Sequence, residues 1–263
     1  MKRIEQHRNA KLKIIFEYLK TIFKELFSLY FIFQILIYSN CNKFGDTGIQ
    51  KLNPVPKFKN IQIEGNYEII LVHSDTNSVE INCNSKIYDK IDFKVLNDTL
   101  KISNEKYTNN FFSDNEKINI RIGFDTLNSV SIFSSCKIEC SDTVKSSNFN
   151  IFISKSIIDF KMIFETSILK IYSWNSSGIY ELSGKTDYFF ADNFGNGIID
   201  AKSLYSGSSY VNNYSTGDCE IYAADLLNYS IFGDGDINCF SIPAQIIGFS
   251  KSEGKLNLPE TIK

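Results

Sequence analysis

The chain is short of the residues on which much catalysis depends. Its 263 residues include 2 histidines, and none follows His73. His-based nucleophilic catalysis is thereby excluded from everything downstream, and no G-x-S-x-G run is present. Arginine occurs at Arg3, Arg8 and Arg121 and nowhere later. There are 4 prolines, and long helical patterns stop after the first 40 residues. No EF-hand or calcium-nonapeptide pattern occurs, and the Cys136/Cys140 pair has no second pair at zinc spacing. Net charge is −2 overall; the first 41 residues carry seven basic and three acidic groups, which leaves −6 for the rest. A mildly acidic body argues against a nucleic-acid partner.

What is present is repetition. Glycines at 178, 197, 217, 235 and 254 each open a short run that alternates apolar and polar residues, with gaps of 19, 20, 18 and 19. Two weaker copies start at Cys136 and Ser156. Positions two and four after each anchor are Ile138/Cys140, Ile158/Phe160, Tyr180/Leu182, Ile199/Ala201, Cys219/Ile221, Ile237/Cys239 and Leu256/Leu258. Side chains two apart share one face of a strand, so these are expected to point inward. Between them lie Glu139, Asp159, Glu181, Asp200, Glu220, Asn238 and Asn257, expected in water. A second alternating run precedes each anchor, for example Leu169–Tyr172 and Tyr210–Tyr214. Each repeat thus reads as strand, turn, strand, turn. One such unit cannot bury its apolar face alone, whereas a stack can. An all-β solenoid follows. Glycine at the anchor is expected because the corner needs backbone conformations that a Cβ penalises. An ordinary β-sandwich is the other all-β solution, but it has no reason to hold a 19-residue phase.

Residues 1–41 read as a signal peptide or lipoprotein leader. A basic head precedes the uncharged run Leu26–Cys41, too short for a span of ~20 residues. Its end, Tyr38-Ser39-Asn40-Cys41, looks like a lipobox, with Cys41 the residue to be lipidated, although Asn40 stands where Gly or Ala is usual. Residues 42–57 are expected to be a linker. The folded domain spans 58–258, with 58–123 as antiparallel capping strands and 124–258 as the repeats; 259–263 form a tail. Within the cap, Asn97-Asp98 is placed at the turn between two strands.

The strands from Phe58 to Ile63, then Asp98–Ile102 and Ile118–Ile120, followed by repeats ending in Gly233-Asp234-Gly235-Asp236-Ile237, resemble the GIN-domain family of bacterial auto-transporter adhesin heads. The resemblance covers about residues 58–258 and departs from the family where Cys136 and Ser156 replace glycine. It implies a right-handed β-solenoid, a secreted or lipid-anchored protein of the cell envelope, and a surface role with little chemistry.

Three acids at the turns, Asp218, Asp234 and Asp236, are the candidate ligands for Ca²⁺; turn formation and solubility account for the same acids. A carbohydrate-active β-helix enzyme, a lyase or hydrolase, is the competing function. Its carboxylate pairs would be Asp218 with Asp236 or Glu181 with Asp200, and a solvated face produces the same pattern. Cys140, Cys219 and Cys239 take inward positions and read as small hydrophobes. Trp174, Tyr172, Tyr210, Tyr214 and Tyr229 form either core or a stacked outer surface for a glycan or protein. The expected function is a non-catalytic surface or secreted binding module without a cofactor, held at the membrane through its N-terminal lipid or anchor.

Overall fold

The computed structural model describes residues 48–104 and 118–260. The leader, Cys41 and residues 42–47 lie outside the described residues. Strand accounts for about 68% of the structure, wound into a β-solenoid of about six turns.

The repeats follow the expected phase but use longer strands. β9 (Cys136–Ser154), β10 (Ile157–Trp174), β11 (Ser177–Phe194) and β12 (Ile198–Asn213) each run nearly a whole turn of the coil. They stack in parallel, β9 on β10 on β11 on β12. One of the two turns expected per repeat is therefore a bend in a continuous strand. Small hydroxyl residues occupy the bend: Thr166, Thr186 and Ser206 are buried one above another, and Thr166 Oγ1 donates to Thr186 Oγ1 at 3.2 Å. Register slips between Met162 and Ile163, and between Glu181 and Ser183, mark the start of the bend, as bulges do. The last turns break into shorter pieces: β13 (Cys219–Ile221), β14 (Leu226–Ile231), β15 (Ile237–Cys239), β16 (Gln245–Ser250) and β17 (Leu256–Asn257). They continue the same columns, β12 to β13 to β15 to β17 on one side and β12 to β14 to β16 on the other.

The inward frame is as the alternation requires. Ile138, Ile158, Phe160, Tyr180, Ile199, Cys219, Ile221 and Ile237 are all buried, in one continuous core. Each contributes ~1.5–3 kcal/mol of burial. Leu258 departs from the frame, because it is 42% exposed. No further turn covers it among the described residues, so alternation alone does not bury it.

The anchor glycines are needed for a different reason from the one expected at most positions. A Cβ on Gly217 would lie 2.3 Å from the carbonyl oxygen of Gly197, and one on Gly235 the same distance from that of Gly217. These residues form a column in which successive backbones press directly on one another. Gly178 alone among the five anchors also has positive φ, +120°.

The segment 58–123 corrects the expected antiparallel cap. β2 (Asn60–Glu64) and β3 (Glu68–His73) are rungs of the solenoid: they lie parallel to β8 (Ser129–Ile132) and to the start of β9. On their other side they pair, also in parallel, with β6 (Thr99–Ser103) and β7 (Asn119–Phe124). The later strands thus stack outside the earlier ones, and the chain returns past β2 to continue. Only the outermost strands are antiparallel. β4 (Ser78–Asn84) pairs with β7 and with β1 (Gly48–Pro54); β5 (Asp92–Leu96) forms a hairpin with β6. Asn97 and Asp98 turn that hairpin, both with positive φ. β1 occupies part of the segment expected to be linker. A short helix, α1 (Ser85–Tyr88), follows β4 and buries Ile87. Alternating apolar residues dictate a buried face without naming the neighbour, which is why the pattern did not separate these pairings.

Candidate binding surface

The most extended feature of the outer surface is a row of aromatic rings. Trp174 and Phe194 are in register across β10 and β11. Tyr214 and Phe232 continue the column: the Tyr214 amide donates to the Asn193 carbonyl and the Phe232 amide to the Asn213 carbonyl. Phe194 stacks on Tyr214 at 4.4 Å between centroids, and Tyr214 on Phe232 at 4.5 Å, with planes within 14°. On the neighbouring column Phe152 stacks on Tyr172 at 5.5 Å, and Tyr172 touches both Trp174 and Phe194. Phe133 extends the row at one end and Phe249 at the other. The Lys251 ammonium sits over Phe232 and Phe249, a cation–π contact at 5.6 and 5.3 Å.

The corner beneath the row is pinned by residues one position earlier. Ser173, Asn193 and Asn213 point inward and are completely buried. Asn193 Nδ2 donates to the Gly197 carbonyl at 2.8 Å; Asn213 Nδ2 donates to the carbonyls of both Gly217 and Gly235 at 3.0 Å. A buried amide that meets two turns of the coil locks their spacing. The sequence signal is a small polar residue followed by an aromatic one: Ser173-Trp174, Asn193-Phe194 and Asn213-Tyr214, each 20 residues apart. Of the aromatics singled out in the sequence, Tyr172, Trp174 and Tyr214 belong to the row. Tyr210 stacks instead on Phe190 at 4.8 Å. Tyr229 packs against the core. Phe133, Phe152, Phe194, Phe232 and Phe249 were not singled out, because a phenylalanine in an alternating run reads first as core.

Several of the acids expected to face water are engaged in ion pairs. Lys161 reaches Glu181 at 2.7 Å, and Lys202 bridges Asp200 and Glu220. Hydrogen bonds donated to Asp200 and then to Glu220 raise the pKa of the Lys202 ammonium above its ordinary value. Glu181 and Asp200 do lie side by side across β11 and β12, but each is held by a lysine.

Two of the three turn acids have backbone duties. Asp218 Oδ1 accepts the Asp236 amide at 2.8 Å, and Asp236 Oδ1 accepts the Lys255 amide at 2.8 Å. Each carboxylate caps an N–H of the following turn, as Asp does in corners. Asp234 is exposed. Among the described residues no group of three or more His, Cys, Asp or Glu side chains could hold a metal ion.

Cys83, Cys136, Cys140, Cys219 and Cys239 are buried thiols outside any disulfide. Burial pushes the Cys136 and Cys219 thiols up to about 12 and that of Cys140 to about 11. The thiolate is the reactive form, so these groups are inert in the native state. We expect no modification of the five by an aromatic disulfide reagent at pH 8 until denaturant is added. Fast labelling of even one in the folded protein counts against the packed interior. The sign with pH follows: the unfolded thiols ionise near 9.0, so their contribution to stability is whole below pH 9 and is lost between about 9 and 12.

A notch of about 340 Å³ near the start of the stack is lined by Lys59, Thr126, Asn128, Lys145 and Ser146–Asn148. Lys145 is paired with Glu165 at 2.8 Å, which leaves the notch only weakly basic.

With this geometry in hand, the comparison with known proteins is specific. Residues 57–243 match the sequence profile of the family described as "Putative auto-transporter adhesin, head GIN domain". The chain belongs to this family. Its head-domain fold recurs in solved structures. A Bacteroides fragilis protein described as a "putative adhesin" superposes with TM-score 0.75 at 19% identity, over 82% of this chain and 98% of that one. A Parabacteroides distasonis protein described as a "putative lipid binding protein" gives 0.59 at 19% identity over 82% and 98%. A Parabacteroides merdae "putative adhesin" gives 0.55 at 14% identity over the same shares. At these identities the likeness establishes the fold. No curated protein matches the sequence.

Proposed function

We propose that this adhesin-head domain is an exported, membrane-tethered binding module that grips a protein partner along its aromatic row and performs no catalysis. The row carries the reading. Eight rings are in continuous contact across successive turns, and Trp174, Tyr214, Phe232 and Phe249 are each 36–46% exposed. A contiguous apolar strip left in water marks a surface that meets a partner. Ring orientation favours a protein over a glycan. In the stacked pairs Phe152/Tyr172, Phe194/Tyr214 and Tyr214/Phe232 the ring faces are covered by neighbours, which leaves the edges of those rings to a partner. A sugar ring packs on an aromatic face; the positive edge suits carbonyl oxygens and methyl groups of a polypeptide. Glu181 and Asp200 are held by lysines and Asp218 and Asp236 accept backbone amides, so neither candidate pair is free for the lyase or hydrolase alternative.

Export and tethering rest on residues 1–41: the leader acts as a helical signal segment, and lipidation of Cys41 holds the domain at the envelope without a span. Right-handed coiling fits the strong preference for that hand when parallel strands of one sheet are joined.

Trp174 is the single tryptophan of the chain and sits in the row, so its fluorescence reports on the surface directly. Extracellular-matrix proteins and a panel of soluble glycans should be titrated against the protein while Trp174 emission is followed. We expect a protein ligand to shift the emission and Tyr214→Ser to weaken binding about tenfold or more. Ligands that bind with no change at Trp174 and no loss in Tyr214→Ser would refute the assignment. Cys41→Ala should move the protein from the membrane to the soluble fraction; unchanged partition removes the lipid tether.

A further inference from the structure

The two ends of the stack are built differently. At the start, the antiparallel strands β1, β4 and β5 lie against rungs that are otherwise parallel, and they carry charge at Lys51, Asp92 and Lys94. Charged, antiparallel strands blunt an edge against further pairing. At the other end β16 pairs with β14 along one edge and with no strand along the other, among the described residues. All six of its residues are exposed, including Ile246, Ile247 and Phe249. Ile246 is in register with Leu227, which is completely buried. It therefore stands on a core column, yet is 38% exposed because no described residue stacks on it. Leu256 has the same relation to Ile237. Among the described residues the core is open at this end. β16 contains neither a charge nor a proline, the devices that usually guard such an edge.

We propose that a second copy of this chain closes the open end, through antiparallel pairing of β16 with its twin about a twofold axis. Three observations select this occupant. First, the charged antiparallel strands at the start of the stack do not offer a continuing parallel rung, so head-to-tail growth is blocked and like end must meet like end. Second, a twofold axis across the end reverses strand direction, and the only arrangement it allows between two β16 strands is antiparallel. Third, an uncharged strand pairs with itself without placing like charges opposite each other. Such an interface is closed, so assembly stops at two copies.

The test is the mass of the detergent-solubilised full chain by light scattering after size exclusion. Wild type should have twice the mass of one polypeptide, which is 30.1 kDa when the leader is retained. Ile247 is 48% exposed and lies on the outer column, in register with Asn228. Ile247→Lys should halve the mass while the β-sheet circular dichroism stays unchanged, because two ammonium groups would face each other across the axis. Phe249→Lys gives a second reading should Ile247→Lys lose its β signal. Ile179→Lys, on the lateral surface and 45% exposed, should remain a dimer. A monomeric wild type, a dimer that survives both β16 variants, or one dissolved by Ile179→Lys would each overturn the proposal.

Discussion

Ile237→Asp should abolish the packing of the last turns of the solenoid. Ile237 is completely buried, in register with Cys219 beneath it and Leu256 above. Its register neighbours Cys219 and Leu256 belong to the same apolar core, so the charge arrives without a partner. An unpaired buried charge belongs to the class of substitutions that cost more than about 4 kcal/mol. Coils contact only their neighbours, so the damage should be polar along the stack. Urea titration followed by far-UV circular dichroism should show a lower-stability transition for the C-terminal turns. Limited proteolysis should cut after about Ser215 while the earlier turns resist. The adjacent outward substitution Asn238→Asp should stay within about 0.5 kcal/mol of wild type. An Ile237→Asp protein that unfolds at the wild-type denaturant concentration would mean that the inward frame is misassigned.

Gly217→Ala is the second large effect, and it separates two explanations of the glycine period. If glycine served backbone freedom alone, alanine would cost about 1 kcal/mol or less at a residue of ordinary φ. The geometry demands more. The added methyl would stand 2.3 Å from the Gly197 carbonyl oxygen and 2.8 Å from its carbon, both backbone atoms that no rotamer change can move aside. The two turns must separate, which also stretches the bond from the Tyr214 amide to the Asn193 carbonyl that joins them. We expect a loss of about 3 kcal/mol, the upper range for overpacking. Gly207→Ala is the comparison: there the nearest backbone atom lies 3.0 Å away, so a clearly smaller loss is expected. Equal losses at the two positions would show that close stacking is not what selects glycine.

Much of the solenoid was legible because its signals are local. Ile199, Cys219 and Ile237 announce their burial by alternation with polar neighbours, and period two is a property of any strand with one dry face. The turn at Asn97-Asp98 was legible for a similar reason, since positive φ favours those side chains. The binding surface was only partly legible. Trp174 and Tyr214 stand out as aromatics, but Phe194 and Phe232 look like core until the corner turns them outward. The turn acids were misleading in the opposite direction: Asp218 and Asp236 suggest a metal site in sequence, whereas their oxygens are engaged by amides one turn away.

The sequence by itself determined the period, the inward and outward columns and the all-β class, because each follows from the chemistry of residues a few positions apart. Only the tertiary structure decided which strand lies beside which. β6 and β7 stack outside β2 and β3, the glycines meet backbone to backbone, and the rings touch ring to ring. Those are contacts between residues some 20 to 70 positions apart, and hydrogen-bonding backbones are chemically alike, so nothing in a strand's own side chains names its neighbour. The unpaired edge of β16 among the described residues has the same origin: it is a property of which strands lie beside it, not of its own side chains.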